Sequence, residues 1–126
     1  RVRPSRSSRR IAHPQGLGVV TKAGVTTLDD IYTVAASTTT VIIGLILGNT
    51  TSSQVTATVT LSSDTAARAG NNDEANQDVE IVTSVPIPAN STLSVLDGKI
   101  IMEATDILQV SASGATDVIL SILEQT

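Results

Sequence analysis

Between Gln54 and Leu61 the chain alternates with a period of two. Val55, Ala57, Val59 and Leu61 fall on one side, and Thr56, Thr58 and Thr60 on the other. Successive side chains of a pleated strand point to opposite faces, so this segment predicts a half-buried β-strand. Val41–Leu47 is apolar at both parities. That predicts a central strand, covered above and below or meeting another subunit. Gly44 and Gly48 there permit a bulge or the close approach of another backbone. Strand-like sequence begins at Leu17 and returns at Asp29–Val34, Asp78–Val85, Thr92–Leu96, Lys99–Glu103, Ile107–Ser111 and Asp117–Leu123. Turn residues separate these runs at Asn49–Ser53, Asp97-Gly98, Thr105-Asp106 and Ser113–Ala115. Asp97-Gly98 between two apolar runs predicts a two-residue hairpin. Many short strands at this spacing predict an all-β sandwich or barrel. A helical period shows only weakly, around Thr65–Ala69. Ala36–Val41 and Ala89–Leu93 echo one another as two small-polar corners, each leading into a strand.

The 126 residues suit a single domain. Residues 1–16 read as a flexible or docking arm of Arg, Ser and Pro, and residues 17–126 as one β body. Gly16-Leu17-Gly18 lacks the following helix that would aim amides at a phosphate, so it reads as a joint between the two. The longest loop, Ser62–Gln77, holds Arg68, Asn71, Asn72, Asp73 and Glu74 and is the expected partner-contacting loop.

Composition narrows the function. With no Phe, no Trp and one Tyr, the core must be aliphatic and an interface lacks the aromatic anchors that usually concentrate binding energy. Affinity must then come from area, backbone pairing or repeated subunits. That favours assembly, and a homo-oligomer packed through the Val41, Ile43, Leu45 and Leu47 face is expected. The net charge of −4 conceals a split. Arg1, Arg3, Arg6, Arg9 and Arg10 account for five of eight bases, so the rest carries three against twelve acids. A basic arm on an acidic body suits an anionic groove on a neighbouring subunit. Nucleic acid is the other anionic surface; the charge of the body opposes it, and the arm has no aromatic residue to stack on bases. The chain has no cysteine, and no apolar run reaches the length of a membrane span.

Candidate chemistry is sparse. His13, the one histidine, stands beside Pro14 in the arm, without a positioned nucleophile or orienting carboxylate. Asn71, Asn72, Asp73, Glu74, Asp78 and Glu80 are rich in oxygen ligands but lack the EF-hand spacing, and a solvated loop is the better reading. Asp29-Asp30 and the pair Glu103 and Asp106 raise a two-carboxylate glycosidase, yet no set of aromatics is present to hold sugar rings. Acids at strand edges more often prevent edge-to-edge aggregation. No catalytic residue, metal site or cofactor is expected, and the chain reads as non-enzymatic.

Three stretches carry a family resemblance. They are Ile31–Val41 followed by Gly44-Leu45 and Asn49; Val85–Leu93; and Leu96–Val110 leading to Val118–Glu124. Together they resemble small virion proteins of tailed bacteriophages, marine and cyanobacterial ones especially. In that family such segments run Tyr-x-Val-Pro-Ala, Pro-Ile-Pro-Ala-Gly-Ser and Leu-Glu-Ala-Gly-Asp-x-Ile-x-Val. Here Ala35 replaces the usual Pro, while Asn90 and Thr105 replace Gly. Asn tolerates left-handed geometry; Thr does not do so readily. The resemblance implies an antiparallel immunoglobulin-like β-sandwich, or a jelly-roll-like variant of it, carried on a virion assembled in the host cytoplasm. It implies a capsid cement, decoration, neck or tail accessory protein that binds capsid, portal or tail subunits. A host-surface recognition module is the alternative.

Overall fold

The computed structural model describes residues 16–64 and 76–126. These form nine strands: β1 (Gly16–Val25), β2 (Asp29–Thr33), β3 (Thr39–Asn49), β4 (Val55–Ser62), β5 (Asp78–Ile87), β6 (Thr92–Ser94), β7 (Ile100–Met102), β8 (Ile107–Ala112) and β9 (Thr116–Gln125). Two antiparallel sheets pack together as the expected all-β sandwich. The first runs β1-β9-β3-β6, with β7 also pairing β3; the second runs β2-β8-β4-β5.

Consecutive strands mostly lie in opposite sheets, and the last strand is inserted between the first and third. With β6 and β7 counted as one interrupted strand, this is the eight-strand, two-Greek-key order of a jelly roll. The jelly-roll variant is therefore the form of sandwich this chain adopts.

The interior follows from register. On β3 and β9, Ile42 faces Ile122, Leu45 faces Leu120 and Leu47 faces Val118 as cross-strand partners, all turned inward and buried. On the second sheet Val59 pairs with Val110 and Leu61 with Leu108. Val55, Ala57 and Val59 are buried as their alternation predicts, and Leu61 packs against them partly exposed.

Three corners share one turn. Thr38 N–H donates to Ala35 O (3.2 Å), Ser91 N–H to Pro88 O (3.1 Å) and Asp106 N–H to Glu103 O (3.1 Å). The third residue is left-handed each time: Ser37 (φ 61°), Asn90 (φ 58°) and Thr105 (φ 70°). An i→i+3 bond with a left-handed third residue is the mark of a type II turn. The echo between Ala36–Val41 and Ala89–Leu93 thus reflects a real equivalence, and Glu103–Asp106 is a third copy.

Two expectations are corrected. Asp97-Gly98 does not close a hairpin: β6 and β7 both pair with β3, end to end along one edge, at Ile46–Gly48 and Thr40–Ile42 respectively. The gap between them falls where β3 bulges, so Val95–Lys99 steps past the irregularity instead of folding back. Gly16-Leu17-Gly18 is no joint but the start of β1, paired with Glu124, Leu123 and Ile122.

Candidate interaction surface

The bulge in β3 decides which residues reach the surface. The β3–β9 register passes from Ile42↔Ile122 directly to Gly44↔Ser121, leaving Ile43 as the extra residue. One added residue reverses the facing of everything after it. Even positions point inward before the bulge (Thr40, Ile42), and odd positions after it (Leu45, Leu47, Asn49).

The expected face of Val41, Ile43, Leu45 and Leu47 is therefore split. Leu45 and Leu47 are only 1% and 0% exposed and belong to the core, so they cannot meet another subunit. Val41 and Ile43 do turn outward, Ile43 with 39% of its surface exposed.

The outer face of the first sheet is built in rows across the strands. Leu17, Leu123, Val41 and Ile101 form one row through their mutual pairings. Thr21, Ile119, Ile46 and Ser94 form another. Between them lies a shallow row of Val19, Ser121 and Gly44. An aliphatic ridge, a furrow at Ser121 and Gly44 closed at the β1 edge by Val19, and a second ridge result.

Leu17, Val19, Ile46, Ile101 and Ile119 are among the most exposed large hydrophobic residues of the described chain. At the outward positions of these strands Asp117 alone is charged, and its carboxylate accepts Gly24 N–H at 2.9 Å. With strands ~4.8 Å apart and ~3.3 Å per residue, the ridges and furrow cover roughly 350 Å², a patch of the size that is often functional. The sequence reading missed Leu17, Val19, Ile46, Ile101, Ile119 and Leu123. A signal existed in Val118–Leu123, which is apolar at both parities apart from Ser121, just as Val41–Leu47 is apolar at both.

The carboxylates singled out for chemistry are engaged in structure. Asp29 pairs with Lys22 Nζ at 3.4 Å. Asp30 accepts Gln109 Nε2 at 2.8 Å. Buried Asp106 accepts Asp64 N–H on Oδ1 (2.8 Å) and Glu103 N–H on Oδ2 (2.9 Å), tying the third corner to the end of β4. Asp78 accepts the Ser62 hydroxyl, and Glu80 that of Thr83. Among the described residues no three His, Cys, Asp or Glu side chains gather as a metal site, and no helix is long and apolar enough to cross a membrane. Arg1, Arg3, Arg6, Arg9, Arg10 and His13 lie outside the described residues, as do Arg68, Asn71, Asn72, Asp73, Glu74 and the weak helical period at 65–69.

Two polar networks hold the frame behind this face. Tyr32 of β2 sends its hydroxyl across the sandwich to Glu124 Oε2 (2.5 Å). Its single proton is used there, so Thr40, at 2.7 Å, donates to the phenol oxygen. Burial and then the Glu124 bond push the Tyr32 phenol up to about 12. Buried Asn49, at the end of β3, donates through Nδ2 toward Ser53 O (2.8 Å), Ile87 O (3.0 Å) and Pro88 O (3.1 Å). Its Oδ1 accepts both Thr51 N–H and the Thr51 hydroxyl.

Comparison of the chain with models of known protein families, with curated proteins and with solved structures finds no match.

Proposed function

We propose that this chain is a non-enzymatic structural subunit of a tailed-phage virion, a cement, decoration or neck-tail accessory protein bound to neighbouring capsid, connector or tail subunits. The observation that carries the reading is the outer face of the first sheet: aliphatic, nearly free of charge, and attached to an otherwise acidic body. Such a face gains from being covered by protein, and it holds no constellation that does chemistry. Two further observations support it. Jelly rolls recur in viral capsid proteins, which is an analogy of fold and not of site. The segments that resemble phage virion proteins contain the three equivalent corners that set the path of the chain. A patch of this size is under half of the ~800 Å² per partner of a stable one-to-one interface, which suits a subunit held by several contacts in a lattice or ring.

Lectins share the jelly-roll architecture, so recognition of a host surface is the second reading. A single tyrosine in the chain disfavours sugar stacking.

The test is quantitative mass spectrometry of purified particles, with the chain either intact or carrying Ile119→Lys in the second ridge of the face. Presence in particles at a fixed ratio to the major capsid protein, lost in the variant, is the expected result. Absence of the intact chain from particles overturns the reading.

A further inference from the structure

The sandwich has four lateral edges, and three are protected against pairing with another strand. On the second sheet, β2 is five residues long, carries Asp29 and Asp30, and shifts register before Tyr32. At the other side β5 carries Asp78, Glu80 and Pro86, with two register shifts against β4. On the first sheet, β6 and β7 are three residues each. Short strands, charges, proline and bulges are the usual devices that blunt an edge.

The fourth edge, β1, has few of them. It is ten residues long without proline, and Gly16 to Lys22 run in unbroken register against β9. Leu17 and Val19 are the exposed large hydrophobic residues on it, at 79% and 63%. Its one charged residue, Lys22, is held by Asp29. Among the described residues no strand pairs with its outer side.

We propose that β1 pairs antiparallel with β1 of a second copy of this chain, about a two-fold axis through Val19, fusing the two first sheets into one. The axis falls at Val19 because it is the midpoint of the regular stretch. Leu17 then stands opposite Thr21 of the other copy, Gly18 opposite Val20, and Gly16 opposite Lys22, so no like charges meet. The sequence before Gly16 is a poor candidate for a strand on the same edge: its five Arg would crowd like charges along one ladder, and Pro4 and Pro14 have no N–H to donate to it.

The pairing also completes the outer face. The Leu17 row of each copy runs into the Thr21 row of the other, so two patches become one continuous strip of roughly 700 Å², close to the ~800 Å² that a specific interface takes from each partner. This dimer does not depend on the particle proposed above; it moves the expected homo-oligomer contact from the face of β3 to the edge of β1.

The purified full chain should sediment as a dimer at micromolar concentration. At a two-fold axis residue 19 meets itself, so Val19→Lys alone and Val19→Glu alone should each raise the dimer dissociation constant about tenfold or more. An equimolar mixture of the two should form the heterodimer again. Circular dichroism checks that each variant keeps the strand spectrum. A monomeric wild type, an undiminished dimer of Val19→Lys, or failure of the mixture to recombine overturns the proposal. Ile119→Lys should stay dimeric, so failure of this inference and failure of the particle reading are distinguishable.

Discussion

The hydroxyl of Tyr32 donates to Glu124 Oε2 from the opposite sheet, at 2.5 Å. The bond requires the phenol to keep its proton, and the fold raises its pKa from 10.0 to about 12. Below pH 10 the phenol is protonated in both folded and unfolded chains, and its contribution is constant. Between pH 10 and 12 the unfolded chain releases that proton while the folded chain retains it, so stability falls as pH rises. Denaturant midpoints measured at pH 9 and pH 11.5 should differ for the wild type and differ less for Tyr32→Phe. An equal drop in both would assign the alkaline loss to other groups.

Asn49 satisfies carbonyls of two separate corners from one buried amide. Asn49→Ala should cost about 2–4 kcal/mol, because buried carbonyl and amide groups lose their partners at once. Asn49→Asp keeps the shape but turns an oxygen toward Ser53 O and Ile87 O, and should be at least as damaging at pH 7. Equilibrium unfolding in urea checks both. A loss under 1 kcal/mol for Asn49→Ala would mean that the corner repacks around water.

Thr105 is a β-branched residue at φ 70°, whereas Asn90 occupies the equivalent place in its turn at φ 58°. Left-handed backbone costs about 1–2 kcal/mol for a residue of this kind, while glycine loses about 0.5–1 kcal/mol through its freer unfolded chain. Thr105→Gly should therefore raise the melting temperature by a few degrees, and Asn90→Gly should change it little. The gain is limited by loss of the Thr105 Oγ1 bond to Asp64 Oδ2. A lower melting temperature for Thr105→Gly would show that this bond outweighs the strain.

Gly114 follows β8 with no room for a side chain. A Cβ there would lie 2.7 Å from Val55 Cγ1, and Val55 is buried. Gly114→Ala should destabilise by about 1–3 kcal/mol through overpacking. Gly114→Ala combined with Val55→Ala should be less than additive, and a thermal-melt cycle measures that coupling.

Deletion of residues 1–10 should leave the melting temperature of the body unchanged and remove the chain from particles. Incorporation at the wild-type ratio would show that the outer sheet face suffices without the arginines.

Strand positions and the aliphatic core were legible because they rest on local alternation: Val55, Ala57 and Val59 are inside as the pattern requires. The two similar corners were legible from small polar residues in equivalent places. The facing of Leu45 and Leu47 was not, because it depends on an extra residue at Ile43 that becomes visible only against the partner strand. In a run apolar at both parities, a reversal of facing leaves no trace in the pattern. The edge role of β1 was hidden for a similar reason, since being last in a sheet is a property of strand order and not of a strand. Asp97-Gly98 misled because a short-range turn preference yielded to the pairing of both flanking segments with β3.

The position of β9 sets a schedule for folding. Gly16 pairs with Glu124, and β3 meets the same strand on its other side. Until Thr116–Gln125 has been synthesised, β1 and β3 have nothing between them, and the first sheet lacks its centre. Before then β4 and β5 can form a hairpin, but most other pairings join distant parts of the chain, which makes folding slow. The exposed ridge and the β1 edge therefore come into being together, after translation has passed Gln125. A nascent chain that has not yet reached Gln125 carries neither.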